Sequence, residues 1–436
     1  MAAARRRNSH VQRQRACADS LAEFVERSPS SFHAAAAVAD HLASAGFARV
    51  EERDEWPAEP GDYVLLRDGA VVAWRIPEEI DDTAPFAIVG AHTDSPGFRL
   101  KPSPDRVAHG WRQLAVEVYG GPLLNSWLDR ELRLAGRVSL TDGSTRLVQT
   151  GAIARIPQLA VHLDRQVNSE GLKLDPQLHT APVTGPENGP DARSIIAAAA
   201  GVEAEDLVAW DLALADTQAP AFLGSDETML AAGRLDNLVS VHAAMRAIVD
   251  TVPSGVIPVI AAFDHEEVGS GTRSGAAGPL LEQVIDRIQD ARAVSPSHRA
   301  RALGASWCVS SDVGHSIHPN YPERHDDGAR PIAGGGPILK VNANQRYASD
   351  ARGAALWAGV CSNAGVTTQP FVSRNSIPCG STIGPITATR LGVSTVDVGI
   401  PILSMHSARE VCAIADAHAL ERALAVFLAG GWPEHA

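Results

Sequence analysis

The feature of this chain that most narrows its fold is an unbroken apolar run, VIPVIAAF from Val256 to Phe263. It is halted at once by Asp264, His265, Glu266 and Glu267. A strand that is apolar along its whole length belongs in a sheet covered on both faces. Adjacent residues of a strand face opposite ways. Glu266 and Glu267 can therefore serve one site only where the strand has ended and the backbone has turned.

The same texture recurs at both ends of the chain. Ser28 to Gly46 carries helix start and stop signals, and Phe86 to Gly90 is a short buried strand running into AHTDSPG. After Gly233 come helical DNLVSVHAAMRAIVDTV, the VIPVIAAF strand, helical GPLLEQVIDRIQDARA and the strand SWCVSSDVGH with its exit loop. ARGAALWAGVCSNAG and ADAHALERALAVFLAGG then read as helices flanking TVDVGIP. From about Leu100 to Gly224 the chain is strand-like and turn-rich, with a Pro/Gly-rich loop from His179 to Asp191. This pattern predicts an α/β protein, a mixed sheet covered by helices on both faces. The expected catalytic domain is discontinuous, residues 1–99 and 231–436, with a mostly β domain inserted at 100–230.

A length of 436 residues exceeds one ordinary core, in keeping with two domains. The formal net charge of −13 argues against a nucleic-acid partner, which needs a basic face. Cys17, Cys308, Cys361, Cys379 and Cys412 are scattered and lack a CxxC pair. That predicts a reducing, cytoplasmic location and no cysteine-based zinc site. No apolar run is long enough to span a membrane. The basic N-terminus, MAAARRRNSHVQRQRACADS, has no apolar core, so it is not a secretory signal; it reads as a frayed extension, with a transit peptide as the second reading.

Chemistry-bearing residues cluster after apolar runs or at a helix mouth. They are His92 and Asp94 in IVGAHTDSPG, Asp236 in AAGRLDNL, Glu266 and Glu267 in AAFDHEEVGS, Asp312 in CVSSDVGH and His406 in ILSMHSARE. Ligand sites of α/β sheets form where loops leave the carboxyl ends of strands. Convergence there would supply imidazoles and carboxylates for two zinc-type metals, with one glutamate left over. Plainer readings stand beside this one. His315 and His318 read as hydrogen-bonded structural residues, and acidic pairs such as Glu51–Glu52 are usually solvated. GSGTRSG lacks the ending of a phosphate loop, and Ser126, Ser225 and Ser381 lack a nucleophile elbow.

The motifs GAHTDSPGFRLKP, VEVYGG, DHEEVGS, SSDVGHSIHPNY, KVNANQRYA, PCGSTIGP and MHSARE occur in the order found in aspartyl aminopeptidases, the M18 metallopeptidases. The chain resembles that family over essentially its whole length. Only the N-terminal tail and a loop from Ser295 to Gly304 fall outside the resemblance.

The resemblance implies that Asp236 bridges two zinc ions, with His92 and Asp312 on one and Glu267 and His406 on the other. Cobalt or manganese could replace the zinc. Asp94 would accept the spare ring N–H of His92 from behind it, and Glu266 would be the general base. His162, in LAVHLDR, resembles the histidine that the family's oligomer presents to a neighbouring subunit's active site. Other readings make His162 structural or a metal ligand beside His92 and His406. Lys340 and Tyr347 resemble substrate-pocket residues; taken alone, both read as ordinary surface positions.

The reading is a zinc aminopeptidase that removes N-terminal residues from peptides, Asp and Glu by preference, assembled as a tetrahedral homo-dodecamer. Alternatives are a broad-specificity aminopeptidase, carboxypeptidase or deacylase on the same scaffold, or a metal-free assembly protein.

Overall fold

The computed structural model describes residues 2–430 and 432. Its spine is four strands, Ile257–Phe263, Phe86–His92, Trp307–Ser311 and Ser394–Gly399, side by side in that order and parallel throughout. They form the middle of a nine-stranded sheet. Ala70–Ile76, Gly61–Arg67 and Ala48–Val50 extend it on one side, Ile338–Val341 and Gln369–Val372 on the other. Antiparallel pairings at Ala70–Ile76 and at Ile338–Val341 make the sheet mixed.

Alternation of side chains along each strand divides the apolar residues between two cores. Val71, Ala73, Ala87 and Val89 face one core, shared with the helices Ser31–Ser44, Leu235–Asp250, Ala351–Ala364 and Ile414–Leu428. Val72, Trp74, Phe86 and Ile88 face the other, closed by the helices Leu280–Ala291 and Ile383–Leu391. Every residue of Ile257–Phe263 is buried, the state its unbroken apolar sequence demands. This is an α/β protein.

A second sheet is antiparallel and six-stranded. Its central strands are Leu132–Leu140, Leu207–Asp216, Gly97–Ala108 and Trp111–Tyr119. Phe98, Leu134 and Leu214 pack there with Ile196 of the helix Ala192–Ala200 in a core of its own. Five short strands, among them Met229–Ala232, Pro401–Leu403 and Glu410–Ala413, form a third sheet.

Three local expectations are overturned. The N-terminal segment is not frayed: Ala2–Arg27 is a helix whose Cys17, Ala18, Leu21, Phe24 and Val25 are buried. That spacing draws one apolar stripe down the helix. Each large side chain it buries contributes roughly 1.5–3 kcal/mol, enough to offset the polar start. The supposed loop from Ser295 to Gly304 is the helix Pro296–Ala305, with Ser295 as N-cap and proline in the first turn. The loop from His179 to Asp191 contains the strand Val183–Pro186, which pairs with Trp111–Tyr119.

Candidate metal centre

The parallel strands deliver the site from their carboxyl ends. His92 is the last residue of Phe86–His92 and aligns with Phe263 on the neighbouring strand. Asp312 follows Trp307–Ser311 directly. His406 lies just beyond Pro401–Leu403, at a left-handed φ of 65°. Asp236 stands at the mouth of Leu235–Asp250, where the backbone at Asp236 and Asn237 is not helical.

The two glutamates share the cleft because the chain turns between the strand and them. His265 adopts a left-handed φ of 65°, and Glu266–Val268 is a single 3-10 turn closed by Gly269 at φ 93°. Asp94 fixes that turn. Its Oδ1 accepts the Glu266 N–H at 3.0 Å, and its Oδ2 accepts the Glu267 N–H at 3.1 Å and the Tyr119 hydroxyl at 2.7 Å. The expected carboxylate contact to His92 is correspondingly weak. His92 Nδ1 lies 3.0 Å from the Asp94 backbone carbonyl and 3.5 Å from the carboxylate Oδ1. The carbonyl, an acceptor only, favours the Nδ1–H tautomer and leaves Nε2 to face the cleft.

His92 Nε2 lies 3.3 Å from Asp236 Oδ1, 3.6 Å from Asp312 Oδ1 and 4.0 Å from Glu266 Oε2. His406 Nε2 lies 3.4 Å from Asp236 Oδ2 and 3.5 Å from Glu267 Oε2. Asp236 thus turns one oxygen to each half of the cluster. Its buried Oδ1 has no hydrogen-bond partner among the described residues, as suits an atom meant for a cation. His92, Asp236 and Asp312 can hold one ion, and Asp236, Glu267 and His406 a second. The donors are the imidazole and carboxylate groups that zinc accepts. His92 with Glu266 and Glu267 forms a further grouping whose ligand atoms also lie within 4.8 Å of one another, so this proximity alone does not separate the roles of the two glutamates.

Like charges crowded out of water set the electrostatics. Burial, then Asp312, Asp94 and Asp236, push the Glu266 carboxyl up to about 7 against the pull of His92. Burial and Asp236 raise Glu267 well above the carboxylate range. Burial opposes a proton on His406, yet Asp236 and Glu267 lift it to about 10. His92 is raised in the same way by Asp236, Asp312 and Asp94. Burial also opposes the charge on Asp236, but His406 and His92 hold its carboxyl low. These shifts describe a site that recruits positive charge.

Glu410 escaped the sequence reading. It is 1% exposed at the start of Glu410–Ala413, and burial, then Asp236, raises its carboxyl to about 8. Its Oε2 accepts the Asp236 N–H at 2.9 Å and its Oε1 the His406 N–H at 2.8 Å, so one side chain positions a residue from each half. The available signal was a glutamate opening an apolar strand, at the end of MHSARE.

Lys340 and Tyr347 are not surface positions; they are 2% and 6% exposed. Lys340 donates to the Val313 carbonyl at 2.7 Å and lies 3.4 Å from Asp312 Oδ2, with Nζ 5.4 Å from the Tyr347 ring centroid. Both line the cleft of about 850 Å³ that opens over the cluster, as do His315 and His318. His162 is elsewhere. It is exposed in the irregular segment before Val183–Pro186, neither lining this cleft nor joining the His–carboxylate groups of its own chain.

A family model described as aminopeptidase I zinc metalloprotease (M18) matches residues 24–428. The probable M18 family aminopeptidase 2 of Streptomyces avermitilis is 53% identical over 422 residues, spanning 94% of this chain and 97% of that protein. Its counterpart in Mycobacterium tuberculosis is 45% identical over 426 residues, spanning 95% and 98%. The S. cerevisiae mApe1 dodecamer superposes with a TM-score of 0.82 at 28% identity, over 94% of this chain and 96% of that one.

The role of Glu410 is testable. Glu410→Ala leaves two backbone N–H groups of the cluster unpaired and is expected to weaken zinc binding about 10–100-fold in chelator competition. An affinity equal to wild type would show that Glu410 does not position the cluster.

Proposed function

Because the chain belongs to the M18 family of aminopeptidase I zinc metalloproteases, we propose that it removes N-terminal Asp and Glu residues from peptides at a two-zinc site. The observation that carries this reading is Asp236, whose two oxygens face separate His–carboxylate groups. Asp236 would bridge, His92 and Asp312 would complete one ion's ligands, and Glu267 and His406 the other's. Cobalt or manganese suits the same donors. Bound there, two Lewis-acid cations lower the pKa of water and screen negative charge developing on the peptide carbonyl.

Glu266 is the carboxylate left over and serves as general base. Its Oε2 takes a proton from the attacking water as the C–O bond forms, and returns it to the leaving amine as the C–N bond breaks. A carboxyl already held near 7 is suited to both transfers, and neighbouring cations draw it towards the ionised state at neutral pH. The acidic floor also attracts a free α-ammonium, which fits an exopeptidase.

Acid preference rests on Lys340 and Tyr347 in the cleft wall. A lysine ammonium carries three donors, and Lys340 uses contacts to Val313 and Asp312. A third remains for a substrate carboxylate, with the Tyr347 hydroxyl as a neutral partner. We read residues 100–230 as an oligomerisation and lid domain and the assembly as a tetrahedral homo-dodecamer, the state in which the yeast neighbour was solved being a dodecamer. Leu159, Val161 and Leu163 are 58%, 49% and 74% exposed beside His162, an apolar patch that a neighbouring subunit would cover. His162 would then reach the neighbour's cleft. The five cysteines are all free, in keeping with a reducing cytoplasm. Among the described residues no helix is long and apolar enough to cross a membrane.

Three outcomes are expected. Glu266→Gln keeps both zinc ions and loses turnover by at least about 100-fold, while Glu267→Gln loses zinc; equal zinc loss in the two variants would refute this division. His162→Ala is nearly inactive with zinc and oligomer intact, and co-refolding it with Glu266→Gln subunits restores activity through hybrid sites. Verified hybrids without recovery exclude a shared site. Finally, kcat/KM for Asp and Glu substrates exceeds that for Leu by about 10–100-fold, a charge-assisted bond's worth. Lys340→Met should collapse that ratio. Zinc content is measured alongside, because the variant also unpairs Asp312. An enzyme that prefers Leu is a broad-specificity aminopeptidase.

A further inference from the structure

The cleft has two electrostatic ends. Every carboxylate lining it, Asp236, Glu266, Glu267 and Asp312, belongs to the candidate metal cluster. Beyond the histidines and Lys340, which is bonded to Val313 and near Asp312, the lining carries the guanidinium groups of Arg324, Arg346 and Arg374. No ion pair joins these arginines to the cluster carboxylates among the described residues; the pair found is a loose one, Arg324 with exposed Glu323 at 3.8 Å. Arg374 is braced by its own bonds to the Glu323 carbonyl at 2.7 Å and to Ser376 Oγ at 3.3 Å, which hold its guanidinium in place.

Strand direction sets the two ends apart. Asp312 leaves the carboxyl end of Trp307–Ser311, whereas Arg346 and Arg374 follow Ile338–Val341 and Gln369–Val372, two and three strands further across the sheet and running the opposite way to the spine. The loops after these strands nonetheless bring both arginines to the wall of the same cleft. Arginine matches a carboxylate in a planar, two-pronged hydrogen bond.

We propose that Arg346 and Arg374, with Arg324 at the rim, form a subsite for the free C-terminal carboxylate of the substrate, making short peptides that end within the cleft the preferred class. The inference rests on the aminopeptidase reading and adds to it a second point of recognition. A short zwitterionic peptide lies in the cleft with its ammonium at the carboxylate floor and its carboxylate at the arginine wall. This subsite is separate from any pocket for the first side chain, because it reads the other end of the molecule.

The test compares Asp-Ala-Ala as free acid with its C-terminal amide, on the zinc-loaded full-length enzyme. Wild type is expected to show kcat/KM about tenfold higher for the acid, mainly through KM, since the carboxylate is gripped equally in the ground and transition states. Arg346→Gln and Arg374→Gln should each bring the acid-to-amide ratio towards one, and Arg346→Lys should keep part of it. Equal cleavage of acid and amide by wild type overturns the subsite while leaving the aminopeptidase reading intact. A ratio unchanged in both glutamine variants overturns it as well. Failure to cleave either peptide overturns both readings.

Discussion

The structure turns on Asp236, a carboxylate 4% exposed that is approached from two sides by imidazoles held in place by the rest of the fold. An ionised carboxylate taken out of water is tolerated only where compensating charge or hydrogen bonds surround it. Here the backbone around Asp236 is tied to distant elements. Glu410 accepts its N–H, the Ser95 hydroxyl donates to its carbonyl at 2.7 Å, and Asn237 donates to the Ser311 carbonyl at 2.9 Å. Strands far apart in sequence thus converge on one helix mouth. The parallel spine reaches the site as a row of carboxyl ends: Phe86–His92 supplies His92, Ile257–Phe263 leads to Glu266 and Glu267, and Trp307–Ser311 leads to Asp312.

Behind the groups that face the cleft stands a second set that never reaches it. Asp94 spends its carboxylate on the Glu266 and Glu267 amides and on Tyr119, and Glu410 spends its own on the Asp236 and His406 amides. The bonds to Asp94, whose carboxyl is held low, are charge-assisted, and such bonds are stronger than neutral ones and hold geometry closely. Burial, with Asp94 among the nearby charges, raises the Glu266 carboxyl, and burial with Asp236 raises that of Glu410. Asp94 therefore both positions the glutamate turn and tunes it.

Much of this was legible in the sequence, for physical reasons that also explain the misses. Ile257–Phe263 was readable because burial on both faces leaves an unbroken apolar run, and the residues after it because charge directly beyond such a run calls for an explanation. The helix Ala2–Arg27 was missed because its apolar stripe starts late, behind a polar and basic first half. The helix Pro296–Ala305 was missed because Ser-Pro reads equally as a turn or as a helix start. Glu410 gave only a faint signal, since its partners are backbone groups supplied by Asp236 and His406. Lys340 read as surface because a lysine is rarely buried without a partner, and its partners, Asp312 and the Val313 carbonyl, lie on another strand exit. No single-chain argument could bring His162 to the cleft, because its own chain does not.

The burial of Lys340 changes how charge in the cleft should be understood. Its ammonium already neutralises part of Asp312, so a substrate carboxylate arriving there competes with a candidate metal ligand for the same cation. In the proposed reading, recognition of an acidic first residue would be linked to the charge on one metal position, each perturbing the other. Arg346 and Arg374 carry no such obligation to the cluster. The two proposed recognition events, a substrate side-chain carboxylate near the floor and a C-terminal carboxylate beyond it, would thus fall to different cations. A lysine coupled to the chemistry sits near the cluster, and arginines insulated from it stand across the sheet.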